Sequence, residues 1–153
     1  MTLRPLVAGD RARVAAITRA TGVFHEDEVA VALEVFDAGV AGDPSYVLLG
    51  ADEDDELAAW ICWGPTPCTA GTWDLYWLAV DPARQQRGLG RALVREMEHR
   101  LHGVARLIVV ETAGRADYAG TRAFYERCGY RAAARIPDFY APGDDQVVYL
   151  KSL

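Results

Sequence analysis

Gly88 and Gly90 stand two apart in "LAVDPARQQRGLGRALV" (78–94), with Arg84, Arg87 and Arg91 around them. The stretch reads as an apolar strand, Asp-Pro, a polar turn and then a helix. At a helix start the backbone N–H groups lack partners, and the dipole adds partial positive charge. Glycines clear side chains from the approach, so consecutive amides from about Arg87 through Leu89 to Ala92 can wrap a phosphate group. A turn and a helix start would account for the glycines alone. The arginines, the strand before and the amphipathic helix after are what point to a pyrophosphate cradle. A dinucleotide fingerprint is excluded, because it needs a glycine at 93, where the chain has Leu93, and glycines directly after the strand. No G-x-x-x-x-G-K-[ST] run exists either.

The elements that position this turn follow from periodicity. "TLRPL" predicts a first strand, with Asp10 capping a helix whose Val14, Ile17 and Ala20 share one side. A second helix is expected from Glu26 to about Gly39, burying Val29, Leu33 and Phe36. "SYVLLGAD" and "ELAAWICWG" predict a hairpin around the acidic turn Asp52–Glu56. "TWDLYWLAV" is a third, aromatic strand; alternation puts Asp74, Tyr76 and Leu78 on one face and Trp73, Leu75 and Trp77 on the other. The helix after the glycines, about Gly88 to Leu101, buries Leu89, Leu93 and Met97. "ARLIVVET" reads as a fully buried strand, followed by a helix over roughly 117–128 with Asp117 as its cap and Gly129 as its stop. "YRAAARI" and "QVVYLKSL" are two last strands joined by a loop, "PDFYAPGDD". The order β-α-α-β-β-β-α-β-α-β-β predicts an α/β chain with one mixed central sheet of about seven strands.

With 153 residues, the expectation is a single domain, 1–153. A net charge of −6 argues against a general nucleic-acid surface. Cys62, Cys68 and Cys128 form no C-x-x-C pair, which fits neither a disulfide framework nor a metal site, and no metal is expected. No apolar run approaches the ~20 residues of a membrane helix, and "MTLRPLVAGDRARV" has no signal-peptide core, so the cytoplasm is the expected compartment.

"QQRGLG" (85–90) after "LAVDP" resembles motif A of the GNAT N-acetyltransferase superfamily, Q/R-x-x-G-x-G/A. "TRAFYERCGY" (121–130) is similar to that family's following helix, F-Y-x-x-x-G-[FY], and the element order is similar to the GNAT fold. The resemblance covers nearly the whole chain, best from Trp73 onward. It implies a splayed strand pair forming an acetyl-CoA cleft, with acetyl-CoA as co-substrate and its pyrophosphate on Gln85, Gln86, Arg87, Gly88, Leu89, Gly90, Arg91 and Ala92. A strand bulge at Leu78, Ala79 and Val80 would hold the acetyl and pantetheine portions, with the Val80 N–H as oxyanion donor. Tyr125 matches the tyrosine that protonates the CoA thiolate.

Acetyl transfer to an amine also needs a base, because an alkylammonium has no lone pair to attack with. Asp74, within the aromatic strand, is the first candidate, and some GNAT members carry a glutamate at the matching place. Glu111 at the end of "LIVVET" is the alternative; the two together could instead bind the amine's charge. By the same resemblance the acceptor pocket is lined by Phe24, His25, Tyr76, Phe139 and Tyr140. The family's usual asparagine before the last helix is absent; Arg115, Asp117 and Tyr118 stand there, with Thr121 or Arg122 as candidates for contact with CoA. Two function classes stay open: an acetyl-CoA-dependent N-acetyltransferase acting on a primary amine by direct attack, and a GNAT-fold module that binds CoA without catalysis. A cysteine enzyme has no supporting motif. The expected partners are acetyl-CoA and a small-molecule or peptide amine, with no nucleic acid and no membrane; GNAT proteins are often homodimers.

Overall fold

Asp54 and Asp55 both have positive φ, 53° and 62°, the backbone of a two-residue hairpin turn that aspartate tolerates. They join β2 (Val47–Glu53) to β3 (Glu56–Pro65), paired antiparallel from Val47↔Trp63 to Glu53↔Glu56. The computed structural model describes all residues, Met1–Leu153. The remaining elements are β1 (Thr2–Pro5), α1 (Arg11–Ala20), α2 (Glu26–Val40), β4 (Thr72–Val80), α3 (Leu89–Leu101), β5 (Leu107–Ala113), α4 (Ala119–Arg127), β6 (Arg131–Ala141) and β7 (Asp144–Ser152). The order is the one the sequence predicts. The strands form a seven-stranded mixed sheet in the order β1-β2-β3-β4-β5-β7-β6, in which β4 and β5 run parallel. Among the helices, none is long and apolar enough to cross a membrane.

The chain divides into two compact units, Met1–Gly64 with Tyr76–Arg100 and Pro65–Leu75 with Leu101–Leu153. In the first, Val14 and Ile17 of α1, Val29 and Phe36 of α2, and Leu57 and Trp60 of β3 form a buried apolar cluster. The Trp60 indole keeps its polar atom satisfied by donating to Thr18 Oγ1 at 3.1 Å, and Thr18 in turn donates to the Val14 carbonyl at 2.7 Å. Leu89, Leu93 and Met97 of α3 are buried at the predicted four-residue spacing. Burial pushes the Cys62 thiol up to about 12, so it stays protonated and acts as a small core residue.

Asp10 does not cap α1 as predicted. It ends a 3₁₀ turn (Ala8–Asp10) with helical backbone, and its carboxylate instead accepts from the Val7 N–H (2.8 Å) and from both ends of the Arg4 guanidinium (2.9 and 3.0 Å). The Arg4 fork, helped by the Val7 N–H, holds this carboxyl below its ordinary 3.8. A depressed folded value means the stabilisation is present above the unfolded value and is lost as pH falls through the folded one. Asp10→Asn is therefore expected to cost about 2 kcal/mol at pH 7, with the gap to wild type closing as pH falls below about 4. Denaturant melts at both pH values check this; an equal gap at pH 7 and pH 2 would contradict it.

In the second unit three expectations change. Leu107–Ala113 is not buried throughout: Ile108 and Val110 are buried while Glu111 is exposed, the alternation of a strand with one open face. Asp117 does not cap α4, which starts at Ala119 after a 3₁₀ turn; it pairs with Arg115 at 3.1 Å. Phe139 and Tyr140 are not in a loop: β6 continues through them to Ala141, kinked at Asp138 (φ 54°), and only Pro142 and Gly143 turn the chain into β7. β6 is exposed along its length and forms the sheet edge.

Candidate active site

In the first unit the segment after β4 is braced before it reaches the glycines. Asp81 accepts from the Ala83 N–H (3.0 Å) and from Arg13 (2.6 Å), and these bonds hold its carboxyl below the ordinary range. Arg84 donates to the Glu56 carboxylate at 2.8 Å and to the Glu53 carbonyl at 3.2 Å. Gln86 (φ 63°) and Gly88 (φ 82°) then take left-handed backbone, and α3 begins. A Cβ on Gly88 would meet nothing within 4 Å, so space is open above the turn.

Fewer backbone amides lack helical partners at this helix start than the span Arg87–Ala92 contains. The Ala92 N–H bonds to the Gly88 carbonyl at 2.9 Å as the first full helical turn, which leaves the amides of Gly88, Leu89, Gly90 and Arg91 as the ones a helix cannot satisfy. Of the three arginines, Arg84 is a brace for the β2–β3 hairpin and Arg87 pairs with Glu53 at 2.9 Å; Arg91 stays exposed on α3. Gln85 and Gln86 are also exposed. On β4, Ala79 is buried in the core cluster, with Leu78 and Val80 half-buried beside it. Phe24 packs at 5.2 Å on Trp77, which stacks on Trp60. Tyr76 lies on the opposite face of β4, edge-on to Tyr46 at 5.7 Å, so Phe24 and Tyr76 are not brought together. His25 is the N-cap residue of α2, its N–H donating to Glu28 at 3.0 Å.

In the second unit, register brings the two carboxylates to one face. Thr72, Trp73 and Asp74 pair with Leu107, Ile108 and Val109, and Val110–Ala113 then pair with β7 alone. Asp74 points with Val109, hence with Glu111, at roughly 8 Å between backbones. Each is held by an uncharged donor: Thr66 Oγ1 gives to Asp74 at 2.7 Å, and Gln146 Nε2 gives to Glu111 at 3.1 Å. The opposite face, with Ile108, Val110 and Tyr149, lies under α4: Tyr125 packs against Tyr149 at 6.2 Å and Tyr130 at 6.0 Å. Burial pushes the Tyr125 phenol well above its ordinary 10, so it remains protonated. Thr121 sits one turn before Tyr125 on α4, whereas Arg122 is consumed by the Ala113 and Arg115 carbonyls at 2.9 and 2.7 Å. Phe139 and Tyr140 lie edge to face at 5.0 Å, and the Gln146 amide reaches Tyr140 Oη at 3.4 Å. Thr66 and Gln146 went unread in the sequence, since nothing local marks either. No group of three or more His, Cys, Asp or Glu is arranged to hold a metal ion.

Residues 13–130 match the Acetyltransferase (GNAT) family. Over 115 residues the chain is 36% identical to mycothiol acetyltransferase of Beutenbergia cavernae, a match covering 72% of this chain and 37% of that protein. The chain thus spans well under half the length of this relative. A GNAT-family structure from Desulfovibrio desulfuricans superposes with a TM-score of 0.93 at 42% identity, covering 99% of this chain and 98% of the other. An aminoglycoside 6'-N-acetyltransferase complexed with coenzyme A shares the fold, with a TM-score of 0.78 at 17% identity and coverage of 99% and 97%.

Proposed function

The chain belongs to the acetyltransferase (GNAT) family, and from that premise we propose that it transfers acetyl from acetyl-CoA to a primary amine by direct attack within a ternary complex. The observation that carries this reading is the glycine turn, with open space over Gly88 and unsatisfied amides at the start of α3. Such a turn suits a pyrophosphate, and a structural relative of the same fold is known with coenzyme A.

Each of the reaction's demands has a residue to meet it. Asp74, or a water it holds, takes the proton from the acceptor ammonium, and Glu111 on the same face draws in that positive charge. The freed lone pair attacks the thioester carbonyl, and the Val80 N–H stabilises the oxyanion. The C–S bond then breaks. The CoA thiolate leaves into the hydrogen bond of the Tyr125 phenol, which burial keeps protonated, and the second proton of the attacking nitrogen, lost as the amide forms, passes through that hydroxyl to the sulfur so that Tyr125 ends neutral. Base and acid candidates lie on opposite faces of the second unit's strands, as expected when amine and thioester approach from opposite sides. Phe139 and Tyr140, exposed on the edge strand, favour a small acceptor with an apolar part.

Thiol release from acetyl-CoA with a panel of amino acids, polyamines, aminoglycosides and peptide N-termini tests this. Turnover with at least one amine is expected. Binding of acetyl-CoA with no turnover on any of them would replace the enzyme with a CoA-binding module.

A further inference from the structure

Gln146 is 3% exposed, in the middle of a sheet face whose neighbours Val109, Val148 and Leu150 are only half-buried and whose Glu111 is open. Register places it opposite Ala113 of β5 and Ile136 of β6, on the Glu111 side of the sheet. A buried primary amide is costly unless its hydrogens are used, and an aliphatic residue would fill the position without that cost. Both hydrogens have acceptors: Glu111 Oε2 at 3.1 Å and Tyr140 Oη at 3.4 Å. Flipping the amide would set its oxygen against the carboxylate, so only one orientation is stable.

The choice of an uncharged donor separates this carboxylate from its neighbours. In the same unit Asp117 and Asp144 pair with Arg115, and Asp145 with Arg135, each losing its charge to a guanidinium. Glu111 is instead oriented without being neutralised. We infer that Gln146 is a positioning residue: it fixes the Glu111 carboxylate, which no guanidinium pairs, where it receives the ammonium of the acceptor. This rests on the acetyl-transfer reading above. It also makes Glu111 the recognition carboxylate and leaves proton removal to Asp74.

The test is a double-mutant cycle in steady state, with Gln146→Met, Glu111→Gln and both together, using the best amine of the panel and acetyl-CoA. Gln146→Met keeps a side chain of similar length and removes the amide. It is expected to raise KM for the amine about tenfold, leave KM for acetyl-CoA unchanged and hold kcat within about threefold. In the Glu111→Gln background the same change is expected to have no further effect on the amine KM. An unchanged amine KM, equal losses in both substrates' KM, or additive effects would overturn the inference while leaving acetyl transfer standing. Wild-type protein inactive on every amine would overturn the reading it rests on as well. Should Gln146→Met fail to fold, Tyr140→Phe in the same cycle reports on the amide's other partner: a raised amine KM abolished by Glu111→Gln supports the inference, and an unaltered or additive one overturns it.

Discussion

Tyr125→Phe is expected to lower kcat about a hundredfold and leave the melting temperature where it is. The two halves of this expectation come from the same geometry. The side chain is buried against Tyr130 and Tyr149, so phenylalanine preserves the aromatic packing. The exchange removes one hydroxyl and no ring atom. A structural tyrosine would lose nothing. A proton donor to a departing thiolate would lose a factor of about 10²–10⁴. Steady-state kinetics beside a thermal melt separates the cases, and a kcat within threefold of wild type would remove Tyr125 from the mechanism.

Gly64→Ala is expected to be the most damaging single methyl in the chain. A Cβ there would sit 1.9 Å from the Ser45 carbonyl oxygen and 2.9 Å from its carbon, with the Tyr76 ring at 3.0 Å. The obstacle is backbone, so no rotamer change relieves it, and the end of the β2–β3 ladder near Val47↔Trp63 must open. Overpacking of this kind costs about 3 kcal/mol, or a fall of roughly 10 °C in Tm for a chain of this size. Gly120→Ala is the control: nothing lies within 4 Å of its Cβ position, it is helical, and the exchange is expected to stabilise by about 0.5–1 kcal/mol. Equal melting temperatures for the two variants would contradict the account.

What was legible in the sequence was local. Strand, turn and helix around Gly88 are specified by residues within one stretch, and the four-residue spacing of Leu89, Leu93 and Met97 matches their burial. What was not legible depends on partners far along the chain. Arg87 reads as a free cationic arm until Glu53, 34 residues earlier, is seen beside it. Asp10 reads as a cap until Arg4 competes for it. Pro137 and Gly143 signal a loop, whereas a kink at Asp138 lets β6 continue along β7. The common face of Asp74 and Glu111 is set by the register Asp74↔Val109, which only long-range pairing decides.

The central claim is that the start of α3 binds the pyrophosphate of acetyl-CoA, and isothermal titration of acetyl-CoA into wild type, Gly88→Asn and Gly88→Asp tests it most directly. Asparagine and aspartate both tolerate the positive φ and have open space there, so the pair differs mainly by one negative charge among the unpaired amides. The predicted result is micromolar binding to wild type, and binding at least tenfold weaker to Gly88→Asp than to Gly88→Asn. Equal affinity of all three proteins, or no binding to wild type, would contradict it.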